Sequence, residues 1–250
     1  MTIKNLLLGI LLLMFNSCDK DDTTNNLQDN LQDNLQNNSI NKIMPLGASR
    51  VAGDRPDYES YRYELWKILE GEDWTFDYIG TQSDEASYPM FNNLDFDIEH
   101  EGIAGWTSGE ILNNIDTWLA ETGAPDIVLF SAPGGNDALQ NLPYSQTLSN
   151  INGIIDVLQN ANPEITIIIE QLAPARSDLM TDELTNYFDQ LIEDILIISA
   201  ENTSDFSQVI AVDMFSGFTD SLLADDVHYN QAGAEFIANR YYMILENILE

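Results

Sequence analysis

Only two of the 250 residues are histidines. One of them, His228, lies three residues after an acid in the run Leu223-Ala224-Asp225-Asp226-Val227-His228-Tyr229-Asn230, just ahead of a C-terminal amphipathic stretch. An imidazole with one nitrogen pinned by a carboxylate and the other free is what general-base chemistry near neutral pH requires. A serine hydroxyl is a poor nucleophile at its own pKa and needs such a base within hydrogen-bond reach. The three-residue spacing favours Asp225 as the orienting carboxylate, with Asp226 as its competitor. The second histidine, His100, stands in Asp97-Ile98-Glu99-His100-Glu101. Acids surround it, but no further histidine or cysteine lies nearby, so it reads as a structural or solvated residue rather than a metal ligand. No metal and no cofactor are expected.

From residue 40 onward, short apolar runs alternate with amphipathic stretches. The runs Ile43–Leu46, Phe76–Ile79, Asp126–Phe130, Ile165–Ile169 and Val209–Val212 predict five buried strands. The stretches 58–70, 108–120, 145–160, 181–200 and 231–249 predict helices. In the fourth of these, Leu184, Tyr187, Phe188, Leu191, Ile192, Ile195 and Leu196 form an i, i+3/i+4 core stripe. Near-continuous apolar strands separated by helices predict a three-layer α/β/α domain over 40–250 with a five-stranded, mainly parallel sheet. Such folds carry their chemistry in loops at the carboxyl ends of strands. Those loops here are Leu46-Gly47-Ala48-Ser49-Arg50-Val51 after the first strand and Ser131-Ala132-Pro133-Gly134-Gly135-Asn136-Asp137 after the third. The Asp225–His228 turn follows the fifth, and His100-Glu101-Gly102-Ile103-Ala104-Gly105-Trp106-Thr107-Ser108 falls between the first and third.

The charge is extreme: 42 acids against 9 bases give −33 at pH 7. No basic patch can form, which excludes a nucleic-acid partner and disfavours a bare anionic membrane. The single cysteine, Cys18, rules out an intramolecular disulfide framework. It follows a basic start at Lys4 and an apolar run, Leu6–Phe15, that is too short to span a bilayer comfortably but has the form of a signal peptide over 1–17. Residues 19–39 are polar, with the repeat Leu27-Gln28-Asp29-Asn30, Leu31-Gln32-Asp33-Asn34, Leu35-Gln36-Asn37-Asn38, and read as a tether over 18–39. The cysteine after the apolar run resembles the lipobox of bacterial lipoproteins, which implies lipidation at Cys18 and membrane attachment through that anchor alone. Asp19-Lys20-Asp21-Asp22 resembles the acidic surface-export signal of Bacteroidetes lipoproteins. Together these imply an extracytoplasmic, membrane-anchored lipoprotein displayed at the cell surface.

Taken in order, the strand-end motifs resemble the SGNH (GDSL) hydrolase family, whose flavodoxin-like fold would cover residues 40–250. The resemblance implies Ser49 as nucleophile, Asp225 and His228 as acid and base, and an oxyanion hole from Ser49, Gly105 and Asn136. Ile43-Met44-Pro45-Leu46-Gly47, Ser60-Tyr61-Arg62 and Glu101-Gly102-Ile103-Ala104-Gly105-Trp106 further resemble the acetyl-xylan-esterase-like carbohydrate esterase family 3. One departure stands out: the family reads Gly-Asp-Ser where this chain reads Gly47-Ala48-Ser49. The missing aspartate is not the triad acid, but in the family it helps shape the nucleophile loop through hydrogen bonds.

The implied activity is a serine esterase that removes acyl groups, acetyl foremost, from carbohydrate or a small ester through an acyl-enzyme. The alternatives are a lipase- or thioesterase-type hydrolase on the same scaffold and a surface glycan-binding lipoprotein whose catalytic site has decayed. Trp106, Arg50 and Tyr229 are candidates to line the substrate. For Trp106 and Tyr229 the competing reading is a place in the core; for Arg50, and for Arg55, it is a helix-end ion pair.

Overall fold

The structure is a computed structural model that describes residues 41–249. The signal peptide expected over 1–17, the lipidation expected at Cys18 and the tether expected over 18–39 all lie outside the described residues. The elements are β1 (Lys42–Gly47), α1 (Ser49–Ala52), α2 (Tyr61–Gly71), β2 (Asp77–Tyr78), β3 (Gln82–Ser83), β4 (Glu99–Gly102), α3 (Ser108–Thr122), β5 (Ile127–Phe130), α4 (Gly135–Leu139), α5 (Tyr144–Ala161), β6 (Thr166–Gln171), α6 (Asp182–Asn202), β7 (Gln208–Asp213), a 3-10 turn (Asp220–Leu222) and α7 (Gln231–Leu245).

The sheet has seven strands rather than five, in the order β3-β4-β1-β5-β6-β7, with β2 also paired to β1. All pairs are parallel except β3 with β4. The two unexpected strands are short and polar, Gln82-Ser83 and Glu99-His100-Glu101-Gly102, and give no apolar run to read. β2 and β4 share one side of β1: β2 meets Lys42 and Ile43, and β4 meets Leu46 and Gly47. Along that side the carbonyls of Ile43 and Gly47 accept from Ile79 and Ile103. Pro45, which has no N–H, therefore falls in the gap where no ladder bond is required.

Alternating strand residues feed two apolar layers. Ile43, Leu129, Ile168 and Val212 pack with Leu65 and Leu69 of α2 and Ile237 and Tyr241 of α7. Met44, Val128, Ile167 and Ile169 pack with Ile115 of α3, Ile154 of α5 and Leu191 and Ile195 of α6. In the stripe on α6, Phe188, Leu191 and Ile195 are buried as expected, whereas Leu196 is half exposed and Ile198 is buried. The two short helices α1 and α4, also unforeseen, are the ones that carry the candidate site.

The nucleophile loop fits closely against its neighbours. A Cβ on Gly102 would lie 2.6 Å from the Ala52 nitrogen, and one on Gly47 would lie 2.8 Å from the Ser131 carbonyl oxygen. Gly102→Ala should thus push β4 away from the end of α1. The expected cost is about 2–3 kcal/mol, seen as a Tm several degrees lower in a thermal melt, together with reduced ester hydrolysis.

Candidate active site

Ser49 is the first residue of α1, so its N–H has no acceptor within that helix. Its Oγ lies 2.9 Å from Nε2 of His228. The other ring nitrogen, Nδ1, lies 2.7 Å from Oδ2 of Asp225. Oδ1 of Asp225 accepts the backbone N–H groups of Val227 (2.9 Å) and His228 (2.7 Å), which folds the turn around the carboxylate. Partial burial raises the Asp225 pKa, but the hydrogen bonds from the His228 ring and the two backbone N–H groups outweigh it and bring it down to about 2. Asp226 turns away to Arg176, 3.5 Å from its Nε. Geometry therefore decides between the two acids in favour of Asp225. Arg176 also donates to the Asp225 carbonyl at 2.6 Å. Asn230 caps α7 through the N–H of Gly233 at 3.0 Å, so the turn is anchored at both ends.

Gly105 and Asn136 are brought together at the ends of β4 and β5. Gly105 has φ +81°, a backbone conformation that favours glycine. Asn136 donates from Nδ2 to the Trp106 carbonyl at 2.7 Å. That bond uses one of the two amide protons and leaves the other available. Two further groups lock this corner. A capping box joins Thr107 and Glu110 at the start of α3. Asp137, buried on α4, accepts from the Ser108 nitrogen (2.8 Å), the Ser108 hydroxyl (2.5 Å) and the Thr147 hydroxyl (3.2 Å).

The three candidate substrate-lining residues are placed differently from one another. Tyr229 is fully buried under the Arg50 guanidinium, 4.8 Å from its ring centroid, and belongs to the core. Trp106 stacks on Trp118, 5.4 Å between centroids. Arg50 contributes to a cavity wall, but its guanidinium is turned inward. It donates to the carbonyls of Val227 (2.9 Å), Ala173 (2.8 Å) and Pro174 (3.2 Å), tying the nucleophile helix to the β6 loop and the histidine turn. Arg55 pairs with Glu59 at 2.9 Å.

Four residues to which the sequence alone assigned no role support or touch the site. Arg62, fully buried, donates to Val51 and Ala52 carbonyls at the end of α1 (2.7 and 2.9 Å), to Ile98 (3.2 Å), and pairs with Asp84 (3.2 Å). Glu170, fully buried, accepts from the Ala132 nitrogen and the Tyr241 hydroxyl, both at 2.7 Å. Burial pushes its pKa up, opposed by those two bonds and by the Arg50 charge. Asp137 is the third. The fourth, Tyr58, stacks on His228 with centroids 3.9 Å apart. The Ser60-Tyr61-Arg62 motif flagged Arg62, and Gly134-Gly135-Asn136-Asp137 flagged Asp137; no local signal marked Glu170 or Tyr58. Where the resemblance assigns support of the nucleophile loop to an aspartate at position 48, the bonds that fasten α1 here come from Arg50 and Arg62.

A cavity of about 40 Å³ opens beside Ser49, lined by Ala48, Ala132, Asn136, Leu139, Leu172 and Phe188 among others. His100 is buried; its Nδ1 accepts from the Gly102 nitrogen at 3.0 Å, and burial followed by the nearby Arg62 charge lowers its pKa to about 2. Among the described residues no cluster of three or more His, Cys, Asp or Glu side chains is placed to hold a metal ion.

This fold and site define a hydrolase built on a three-layer α/β fold with a mainly parallel sheet and its chemistry at the strand ends. The chain belongs to the GDSL-like Lipase/Acylhydrolase family, whose sequence pattern matches residues 77–236. It is a carboxylic ester hydrolase. The match takes in Gly105, Asn136, Asp225 and His228, while Ser49 precedes it. Among solved structures, it is similar to a carbohydrate esterase family 3 protein from Talaromyces cellulolyticus, with 25% identity and a TM-score of 0.70 over 83% of this chain and 97% of that one. A Clostridium thermocellum family 3 carbohydrate esterase is 27% identical, with a TM-score of 0.66 over 84% and 98%. A mutant acetyl esterase with acetate ion, 24% identical with a TM-score of 0.69 over 83% and 99%, shares the fold. No curated protein matches the chain.

The buried carboxylate makes a direct prediction. Glu170→Ala leaves the Ala132 N–H and the Tyr241 hydroxyl without partners, and should cost about 2–5 kcal/mol. Glu170→Gln keeps an acceptor for Ala132 and should cost clearly less. Thermal melts of the two variants provide the comparison, and an unchanged Tm in Glu170→Ala would show that the carboxylate does not hold these loops.

Proposed function

We propose that the protein is a serine esterase that removes short acyl groups, acetyl foremost, from carbohydrate through an acyl-enzyme on Ser49. The observation that carries this reading is the chain of contacts from Asp225 through His228 to the Ser49 hydroxyl, at the mouth of a small apolar cavity. In the first step the Ser49 oxygen attacks the ester carbonyl carbon while Nε2 of His228 takes the hydroxyl proton. Asp225 holds the imidazole in the required tautomer and stabilises the imidazolium. The developing oxyanion is received by the N–H groups of Ser49 and Gly105 and the unused amide proton of Asn136. The imidazolium then protonates the departing alcohol. Water, activated by the same imidazole, attacks the acyl-enzyme and releases the acid.

Cavity size supports a short acyl group. About 40 Å³ beside Ser49 compares with about 300–1,000 Å³ for pockets that enclose drug-sized ligands. On the other side of α1, a polar hollow of about 510 Å³ is lined by Gly53, Arg55, Gln82, His100 and Ala104 among others. Its polarity suits a hydroxyl-rich alcohol better than a lipid tail. The leader and Cys18 support an extracytoplasmic, lipid-anchored location, where glycans are accessible.

Ser49→Ala should abolish hydrolysis of p-nitrophenyl acetate with circular dichroism unchanged. Wild-type rates should fall steeply from acetate to octanoate esters, and acetylated xylan should release acetate. Asn136→Ala should lose about 100- to 1,000-fold in kcat. On the acid side kcat/KM should fall as pH drops through the pKa of His228, because only the neutral imidazole accepts the serine proton. Asp225, ionised down to about pH 2, adds no second step above that value. A profile with no acid limb would remove His228 from the mechanism.

A further inference from the structure

Between α1 and α2 the chain makes a tight loop whose purpose is not evident from the triad alone. Asp54 and Tyr58 exchange backbone hydrogen bonds of 3.2 Å each, and the Asp57 nitrogen donates back to Asp54 at 2.8 Å. The Glu59 nitrogen donates to the Tyr229 carbonyl at 2.9 Å, which pins the loop to the residue after His228. Arg55 pairs with Glu59 and lies 4.8 Å over the ring of Tyr88. The outcome is a Tyr58 ring lying flat on the His228 ring, with centroids 3.9 Å apart and planes 14° from parallel.

We propose that Tyr58 is a positioning residue of the ester hydrolysis: its ring holds the His228 imidazole in the plane defined by Ser49 and Asp225 and favours the imidazolium formed on attack. The proposal rests on the reading of His228 as the base. Hydrogen bonds at Nδ1 and Nε2 fix the two ends of the imidazole but leave it free to rock about the line joining them. A ring laid flat against one face removes that freedom. The face of an aromatic ring is also electron-rich and attracts a cation within about 6 Å of its centroid. This attraction is absent while the imidazole is neutral and appears when it takes the serine proton, so it acts selectively on the charged state of the reaction.

The charged groups around His228 are accounted for. Asp225 holds Nδ1, and Asp226 is turned to Arg176. Arg50 meets the histidine turn at the Val227 carbonyl and over the Tyr229 ring. Asp54 lies beside Tyr58; burial, then Asp54 and Asp225, raise the phenol's pKa, so Tyr58 stays uncharged through neutral pH.

The test uses Tyr58→Phe, which keeps the ring, and Tyr58→Leu, which keeps apolar bulk without it. Because the chain has two histidines and His100 stays neutral down to about pH 2, proton NMR between pH 4 and 9 follows His228 alone, independently of turnover. Tyr58→Phe should match wild type in the NMR midpoint and in kcat. Tyr58→Leu should lower the midpoint by about 0.3–0.7 pH units, shift the acid limb of kcat/KM equally, and reduce kcat about two- to fivefold with KM little changed. A folded Tyr58→Leu with the wild-type midpoint and kcat would overturn the proposal. So would a change confined to KM, or a loss in Tyr58→Phe equal to that in Tyr58→Leu, since either makes Tyr58 a substrate contact through its hydroxyl. If His228 is not the base, the midpoint still moves in Tyr58→Leu while the rate profile does not, which separates that failure from this one.

Discussion

Two buried guanidinium groups hold the active-site loops in register, and the rest of the site depends on them. Removing an arginine from water is costly unless its N–H groups are matched by acceptors in fixed positions. Arg62 and Arg50 meet that condition almost entirely with backbone carbonyls, at Val51, Ala52 and Ile98 for one and Val227, Ala173 and Pro174 for the other. The acceptors belong to the helix carrying Ser49, the strand edge leading to Gly105, the loop after β6 and the turn carrying His228. Moving any of these segments would strand a buried donor, so the positive charges fix their relative positions. A chain with nine bases in all commits two of them to this framework.

Buried carboxylates complete the frame from the opposite sign. Glu170 sits beneath the loop after β5, accepting the Ala132 nitrogen where that residue adopts φ +45°, and it compensates the charge of Arg50. Asp137 binds the start of α3 to α4, so that the peptide of Gly105 and the amide of Asn136 share one rigid corner. Catalysis by acyl transfer relies on donors set before the oxyanion appears. Here the groups proposed as donors are held in place by hydrogen bonds to their neighbours. An alanine before the serine is compatible with a formed site because Arg50 and Arg62 fasten the loop instead.

Much of this was legible in the sequence, and the limits are physical. The five apolar runs marked real strands because buried parallel strands are apolar on both faces, while β3 and β4 are too short and polar to register. Gly47-Ala48-Ser49 and Asp225-x-x-His228 could be found because the residues that act together lie within one turn of chain. Asp225 could not be separated from Asp226 with certainty until Arg176 was seen to hold the latter. Arg50 reads as a greeter of anions in so acidic a chain, yet its charge faces inward, since a carbonyl cage leaves no pattern in residue types. Tyr229 was ambiguous between substrate and core for the same reason, and Tyr58 joins His228 across 170 residues of chain with no periodicity to announce it.

The most direct test of the account is covalent labelling of the full chain with a fluorophosphonate, followed by mass spectrometry of the digested adduct. The reagent reacts with a serine only where a base and oxyanion donors activate it. The account predicts one modified residue, Ser49, with labelling lost in Ser49→Ala and strongly slowed in His228→Ala. An adduct on another serine, or no adduct on a folded protein that still hydrolyses esters, would contradict it.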